Sequence, residues 1–313
     1  MDMVSGHYDP TLEKYRPRTT GKNPTEITTV ELFDRFTQYQ LKHKGLSQDS
    51  INTRYKFLQR MLEKHLNIRA CDVEKRRVEA FAAVCRDTLK PDTAKQRIWL
   101  LKSAWDWGKG KYQLADENPW GGIAERFKSV PVQPCAVFSK DEVKKIIQGF
   151  RDSPYYAHYT DYVVFRFGVG TRTEEASNLK WRHISSDYSS VWIESSKTKK
   201  ARRVVMPTSI SIMLKARKEA SKPTSDDELV FTTPTGLLVN SKDFNRRAWK
   251  TILAQKEIPY RKPYTTRKTA GSHAIDAGAN YLEVAEALGH NPHTMHKYYA
   301  EVIQKKSVFV SFE

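Results

Sequence analysis

The sequence predicts a mainly α-helical chain with a small β-sheet, organised as a helical domain followed by a mixed α/β domain. Three observations carry this expectation. Apolar residues recur at three- and four-residue intervals through most of the 313 positions. Strand-like runs stand out at Ser190–Glu194 and Arg203–Met206, on either side of a polar stretch. A tract broken by Asn118-Pro119 and Gly121-Gly122 separates the two regions.

Residues 1–26 mix Pro, Gly, Thr and charges with no apolar period and read as an irregular arm. The helical domain is placed at 27–112. Val30, Phe33, Phe36 and Tyr39 define one helix face. Ile51, Tyr55, Leu58 and Leu62 define a second, behind the capping cluster Ser47, Asp49 and Ser50. Two further helices cover 73–84 and 93–107, with Lys90-Pro91-Asp92 as the break and restart. Residues 113–135 are expected to be a linker. The second domain, 136–305, opens at Ser139-Lys140-Asp141-Glu142, a capping pattern before the apolar Val143, Ile146, Ile147 and Phe150. Its two strand-like runs form a hairpin with a lysine-rich tip, Leu229–Thr232 reads as a further strand, and the remainder is helical. Residues 306–313 form a tail whose alternation is also strand-like.

Charge narrows the partner. Lys and Arg number 53 against 36 Asp and Glu, a net +17, which suits nucleic acid better than anionic lipid. Arg54, Lys56, Arg60, Lys95, Arg97 and Lys102 lie on polar helix faces, placed to follow phosphates along a duplex. A solvated basic face is the competing account of each. Cys71, Cys85 and Cys135 fall in no metal-ligand spacing and read as buried thiols of a reducing cytoplasm. With no signal-peptide core and no apolar run of membrane-spanning length, the expectation is a soluble cytoplasmic protein outside membranes.

The second domain scatters Arg, Lys, His and Tyr where a metal-dependent phosphate enzyme clusters carboxylates. Four segments stand out. Gly170-Thr171-Arg172 is followed at three residues by Glu175, at the end of an apolar helix. Ser196-Lys197-Thr198-Lys199-Lys200 forms the hairpin tip, and Tyr264-Thr265-Thr266-Arg267 precedes a helix of small residues. Leu288-Gly289-His290 is followed by Tyr298-Tyr299. In this order the segments resemble those of the tyrosine site-specific recombinases, the family of phage-type integrases.

That resemblance implies that the first domain binds the DNA core site and the second is catalytic. Arg172 and Arg267 would grip the scissile phosphate, since a guanidinium binds it bidentately and stays charged. Glu175 would orient Arg172 from behind, and His290 would hydrogen-bond a non-bridging oxygen. Tyr299, nine positions after His290, matches the family's nucleophile, with Tyr298 its packing neighbour. Lys197 would protonate the leaving 5′ oxygen, with Lys199 a DNA contact and the reserve donor; a solvated turn is the other account of that tip. The sequence departs from the family at Tyr264, where a histidine is usual. A phenol, ionising near about 10 in water, is a poor base at neutrality, so Tyr264 is read either as a phosphate hydrogen-bond donor or as core packing. The phosphotyrosyl ester conserves the energy of the phosphodiester, so no cofactor or metal is implied.

The partners implied are double-stranded recombination sites, a homotetramer on DNA, and accessory DNA-bending or directionality factors. The location implied is the nucleoid, and the task is integration or excision of a mobile element. Two alternatives stay open: a topoisomerase of type IB, which uses similar residues without exchanging strands, and a non-catalytic site-specific DNA-binding protein.

Overall fold

A computed structural model describes residues 26–128, 136–194 and 201–291. The arm up to residue 25, Cys135, Lys197, Lys199, Tyr299 and the tail 306–313 lie outside the described residues. The chain divides into two compact units, Met1–Val132 and Gln133–Glu313.

In the first unit, α1 (Thr29–Lys44) starts at Thr28, whose hydroxyl accepts the Glu31 N–H while the Glu31 carboxylate accepts that of Thr28. This reciprocal cap satisfies two donors that an isolated helix start leaves open. α2 (Gln48–Ser50), a π turn (Ile51–Tyr55) and α3 (Lys56–His65) run on as one helical segment. α4 (Lys75–Thr88) and α5 (Pro91–Gly108) complete the set, the second with Pro91 in its first turn, where a missing N–H is harmless. Their apolar stripes meet in one core that includes Phe33, Tyr55, Leu58, Phe81, Ile98 and Trp105. Each large side chain so buried contributes about 1.5–3 kcal/mol.

The expected linker at 113–135 is corrected as far as Phe127. Trp120, Ile123, Ala124 and Phe127 are buried in the first core, and Trp120 meets Phe81 edge-on with centroids 5.8 Å apart. Asn118 Nδ2 donates to the Lys102 carbonyl and the Asp106 carboxylate at 3.0 and 2.7 Å. The Gly, Pro and Asn residues do break the helix, but the apolar residues between them still have surface to bury. A second correction concerns the thiols, because Cys85 is buried whereas Cys71 is exposed.

The second unit begins with α6 (Lys140–Arg151), closed at its start by the Ser139–Glu142 reciprocal cap. It continues through α7 (Thr160–Val169), α8 (Thr173–Ser177), strands β1 (Ser190–Glu194) and β2 (Ala201–Val205), and α9 (Thr208–Ser221). α10 (Ser241–Asp243), a π turn (Phe244–Trp249) and α11 (Lys250–Gln255) again form one helical run. α12 (Thr265–Asp276) and α13 (Tyr281–Leu288) are the last described elements. Phe138, Phe150, Tyr162, Phe165, Phe231, Phe244 and Trp249 dominate the core of this unit.

β1 and β2 pair antiparallel, with Ile193 opposite Arg202 and Trp192 opposite Arg203. β2 therefore starts two residues before its sequence-based boundary. Strand alternation then puts Arg202 on the same face as the buried Val204, so a residue that looked like polar tip turns inward. Leu229–Thr232 is not a strand of this sheet. It makes only isolated bridges, Lys180 with Leu229 and Thr232 with Leu238, and Val230 N–H is bound by the Leu179 carbonyl.

Candidate active site

α7 ends at Gly170, whose φ of +67° suits glycine, and a Cβ there would sit 2.5 Å from Leu288 Cδ2. Two residues on, Arg172 caps α8 and Glu175 lies in its first turn. The Glu175 carboxylate accepts the Arg172 backbone N–H at 2.8 Å and its Nη1 at 2.6 Å. Arg202 of β2 grips the same carboxylate with both arms of its fork, at 3.1 and 2.9 Å, and Arg267 Nη1 stands 3.7 Å away.

Arg267, from α12, is fully buried. It donates Nη1 to the Gly170 carbonyl at 2.9 Å, Nη2 to the Leu288 carbonyl, and Nε to His290 Nε2 at 3.2 Å. His290 follows α13 immediately after Gly289, which ends that helix in the left-handed conformation. Arg172 Nη2 reaches the Gly289 carbonyl at 3.3 Å. Residues 117 positions apart in the chain are thus joined in one cluster.

The electrostatics favour an anion. Burial would raise the Glu175 pKa, but the Arg202 fork, the Arg172 N–H and both neighbouring charges prevail and hold it at about 2. His290 is pushed down to about 4, first by burial and then by Arg267, Arg172 and Arg202, so its imidazole is neutral at pH 7. Burial, followed by repulsion from Arg172, lowers Arg267 to about 10, which still leaves it a cation. Three guanidiniums therefore face one carboxylate. Arg172 keeps nitrogen donors to offer and is the most exposed of the three, its side chain 23% accessible against 10% for Arg202 and none for Arg267. Such a cluster can hold a phosphodiester and stabilise extra negative charge as it develops.

Tyr264 immediately precedes α12, three residues before Arg267, and is 43% exposed. That exposure removes core packing as its account. Behind it lies Arg166, wholly buried in α7, which donates Nη2 to the Pro263 carbonyl at 2.8 Å and to Thr173 Oγ1 at 3.1 Å. Arg166 thereby ties the start of α8 to the turn that presents Tyr264. Neither Arg166 nor Arg202 was singled out in the sequence. A single charge inside the otherwise apolar run Tyr162–Val169 is the signal for the first; Arg202 has none beyond its place beside a strand.

Of the basic residues assigned to DNA in the first unit, Arg54 and Lys56 are exposed. Lys102 is half-exposed and engaged with Asp106 at 2.8 Å. Arg97 is a correction: it is 7% exposed, donates to the Thr53 carbonyl at 3.4 Å, and has its pKa lowered by burial and by Arg54. Its spacing explains this, because Ala94, Arg97, Ile98, Leu101 and Trp105 occupy one stripe of α5 that faces the core. Trp99, off that stripe, is 46% exposed with Lys95 Nζ 5.2 Å from its ring centroid.

Solved structures that match this fold include DNA integrases. The Tn1549 transposon integrase, solved in complex with transposon right end DNA, matches with a TM-score of 0.73 at 16% identity, over 90% of this chain and 100% of that one. A lambda integrase dimer bound to a COC′ core site matches with a TM-score of 0.73 at 16% identity, over 100% of this chain and 87% of that one. A lambda integrase tetramer bound to a Holliday junction matches at 0.69 and 17%, over 94% and 84%. In sequence, the chain is 27% identical over 204 residues to a XerC-like tyrosine recombinase of Caldanaerobacter subterraneus subsp. tengcongensis, 54% of this chain. It spans about half the length of that curated relative, 51%. Residues 136–306 match the phage integrase family, and the chain belongs to that family of tyrosine recombinases.

No helix among the described residues is long and apolar enough to cross a membrane.

Proposed function

We propose that this protein cuts and rejoins DNA at specific sites through a 3′-phosphotyrosyl intermediate, in the integration or excision of a mobile element. The convergence of Arg172, Glu175, Arg267 and His290 in one hydrogen-bonded cluster is the observation that supports this most.

A phosphodiester enters over the partly exposed Arg172, on the side that Tyr264 serves. The Tyr299 oxygen gives up its proton to solvent as it attacks phosphorus, the bond to the 5′ oxygen breaks, and Lys197 delivers the proton that this oxygen needs. Arg172 and Arg267 bind the non-bridging oxygens with His290 contributing a further hydrogen bond, while Glu175 orients Arg172. Tyr264 adds a hydroxyl donor from the position before α12. Attack by a 5′ hydroxyl on the phosphotyrosyl ester reverses the sequence and rejoins a strand, without cofactor or metal. Arg54 and Lys56 supply phosphate contacts from the first unit, and Lys199 another from the hairpin. Assembly as a homotetramer on paired sites is supported by the lambda integrase tetramer on a Holliday junction. Accessory DNA-bending or directionality factors and a location on the nucleoid complete the reading.

The test is a plasmid carrying two copies of the protein's own site, with EDTA present. Recombinant circles are expected. Relaxation without recombinants would point to topoisomerase chemistry, and site binding without strand breakage to a DNA-binding protein alone.

A further inference from the structure

Arg202 spends all of its nitrogen atoms on the protein. Nε donates to the Ala287 carbonyl at 2.7 Å, while Nη1 and Nη2 take the two oxygens of Glu175 at 3.1 and 2.9 Å. Its side chain is 10% exposed, and a Cβ on Gly289 would meet its guanidinium at 3.2–3.4 Å. The residue is therefore packed beneath the turn that carries His290, with each of its three nitrogens engaged by the protein.

This arrangement bears on Arg172. A lone carboxylate beside Arg172 draws that guanidinium inward and cancels its charge. Arg202 engages both Glu175 oxygens, and Arg172 makes a single side-chain contact with that carboxylate. The same guanidinium links β2 to the last turn of α13, fixing strand and His290 turn against each other.

We propose that Arg202 is a positioning residue for strand cleavage: it neutralises Glu175, leaving the charge of Arg172 to the phosphate, and it holds the Ala287–His290 turn in register with β2. This inference rests on reading the cluster as the site of the scissile phosphate.

The experiment measures single-turnover formation of the covalent protein–DNA adduct, together with DNA affinity and melting temperature. It uses the full chain as wild type, Arg202→Met, Arg202→Lys, Glu175→Gln and the double variant Arg202→Met/Glu175→Gln. Arg202→Met is expected to bind DNA within about twofold of wild type and to form adduct about 30-fold more slowly or worse. In that variant the stranded carboxylate competes for Arg172, so adding Glu175→Gln is expected to recover about tenfold, a coupling of neighbours that a generic packing loss does not give. Arg202→Lys keeps the charge without the fork. It is expected to melt as wild type does and to cleave at an intermediate rate, which keeps the test valid if the methionine variant fails to fold. With wild type active, cleavage by both Arg202 variants within about threefold of wild type overturns this inference alone, as do losses that simply multiply in the double variant. Wild type that forms no adduct overturns the phosphate reading, and this inference with it.

Discussion

Arg267 Nε donates to His290 Nε2 across 3.2 Å, so the neutral imidazole carries its proton on Nδ1. The buried arginine and the histidine after α13 are thereby locked together, and the lock sets a pH dependence. His290 is held at about 4 in the folded protein against 6.5 for an ordinary histidine. Between those values the unfolded chain binds the extra proton, so the contribution of His290 is constant above about 6.5 and is lost as pH drops towards 4. Glu175, held at about 2 against 4.5, acts in a lower window, its contribution present above 4.5 and lost as pH falls through 2. Urea unfolding at steps from pH 8 to pH 3 should show the first decline, and His290→Asn should make it shallower, leaving the share of His158 and His183, whose pKa values burial also lowers. An unchanged slope in that variant would contradict the assignment.

Tyr264 offers a hydroxyl where the family resemblance leads one to expect imidazole. Removing that hydroxyl in Tyr264→Phe should slow adduct formation by on the order of 10²-fold, the scale of one lost donor to a charged transition state. Because the ring is 43% exposed, stability should stay within about 0.5 kcal/mol. Tyr264→His should restore most of the rate. Equal rates for wild type and the phenylalanine variant would show that the hydroxyl takes no part.

Gly170 joins backbone geometry to the site. In Gly170→Ala the new methyl meets Leu288 Cδ2 at 2.5 Å and the backbone is held at a φ of +67°. Thermal unfolding should report a loss of about 1–3 kcal/mol. Cleavage should fall as well, since Gly170 and Leu288 both present carbonyls to Arg267. Wild-type stability in that variant would mean that the close approach is relieved at no cost.

The basic face of the first unit is separable by salt dependence. Arg54→Ala and Lys56→Ala should each lower the slope of log affinity against log salt by about 0.9, the effect of one phosphate contact. Lys102→Ala should change it less, because Asp106 already holds that ammonium at 2.8 Å. Titrations between low and moderate salt measure the three slopes, and equal slopes in all variants would remove Arg54 and Lys56 from the interface.

These residues also show how far the sequence could be read. The helices were legible because their caps and stripes are local: Thr28 with Glu31 and Ser139 with Glu142 close within one turn. Arg172 and Glu175 were legible for the same reason, one turn apart at the start of α8. Arg202 was not, because its partners Glu175 and Ala287 lie 27 and 85 residues away and only the fold unites them. Arg97 went the other way, its charge suggesting the surface while its position on the α5 stripe placed it inside. The tract before residue 128 misled for a related reason. Helix breakers report the end of regular hydrogen bonding, and Trp120 and Phe127 reach the core without it.

Tyr299 is the residue proposed to form the bond to DNA. A nicked suicide substrate, which loses the short strand bearing the 5′ hydroxyl and so cannot be resealed, should trap a covalent complex, and mass spectrometry of its proteolytic peptides should place the nucleotide on Tyr299. Tyr299→Phe should yield no adduct, while Tyr298→Phe still should. An adduct that persists in Tyr299→Phe, or one mapped to Tyr298, would contradict it.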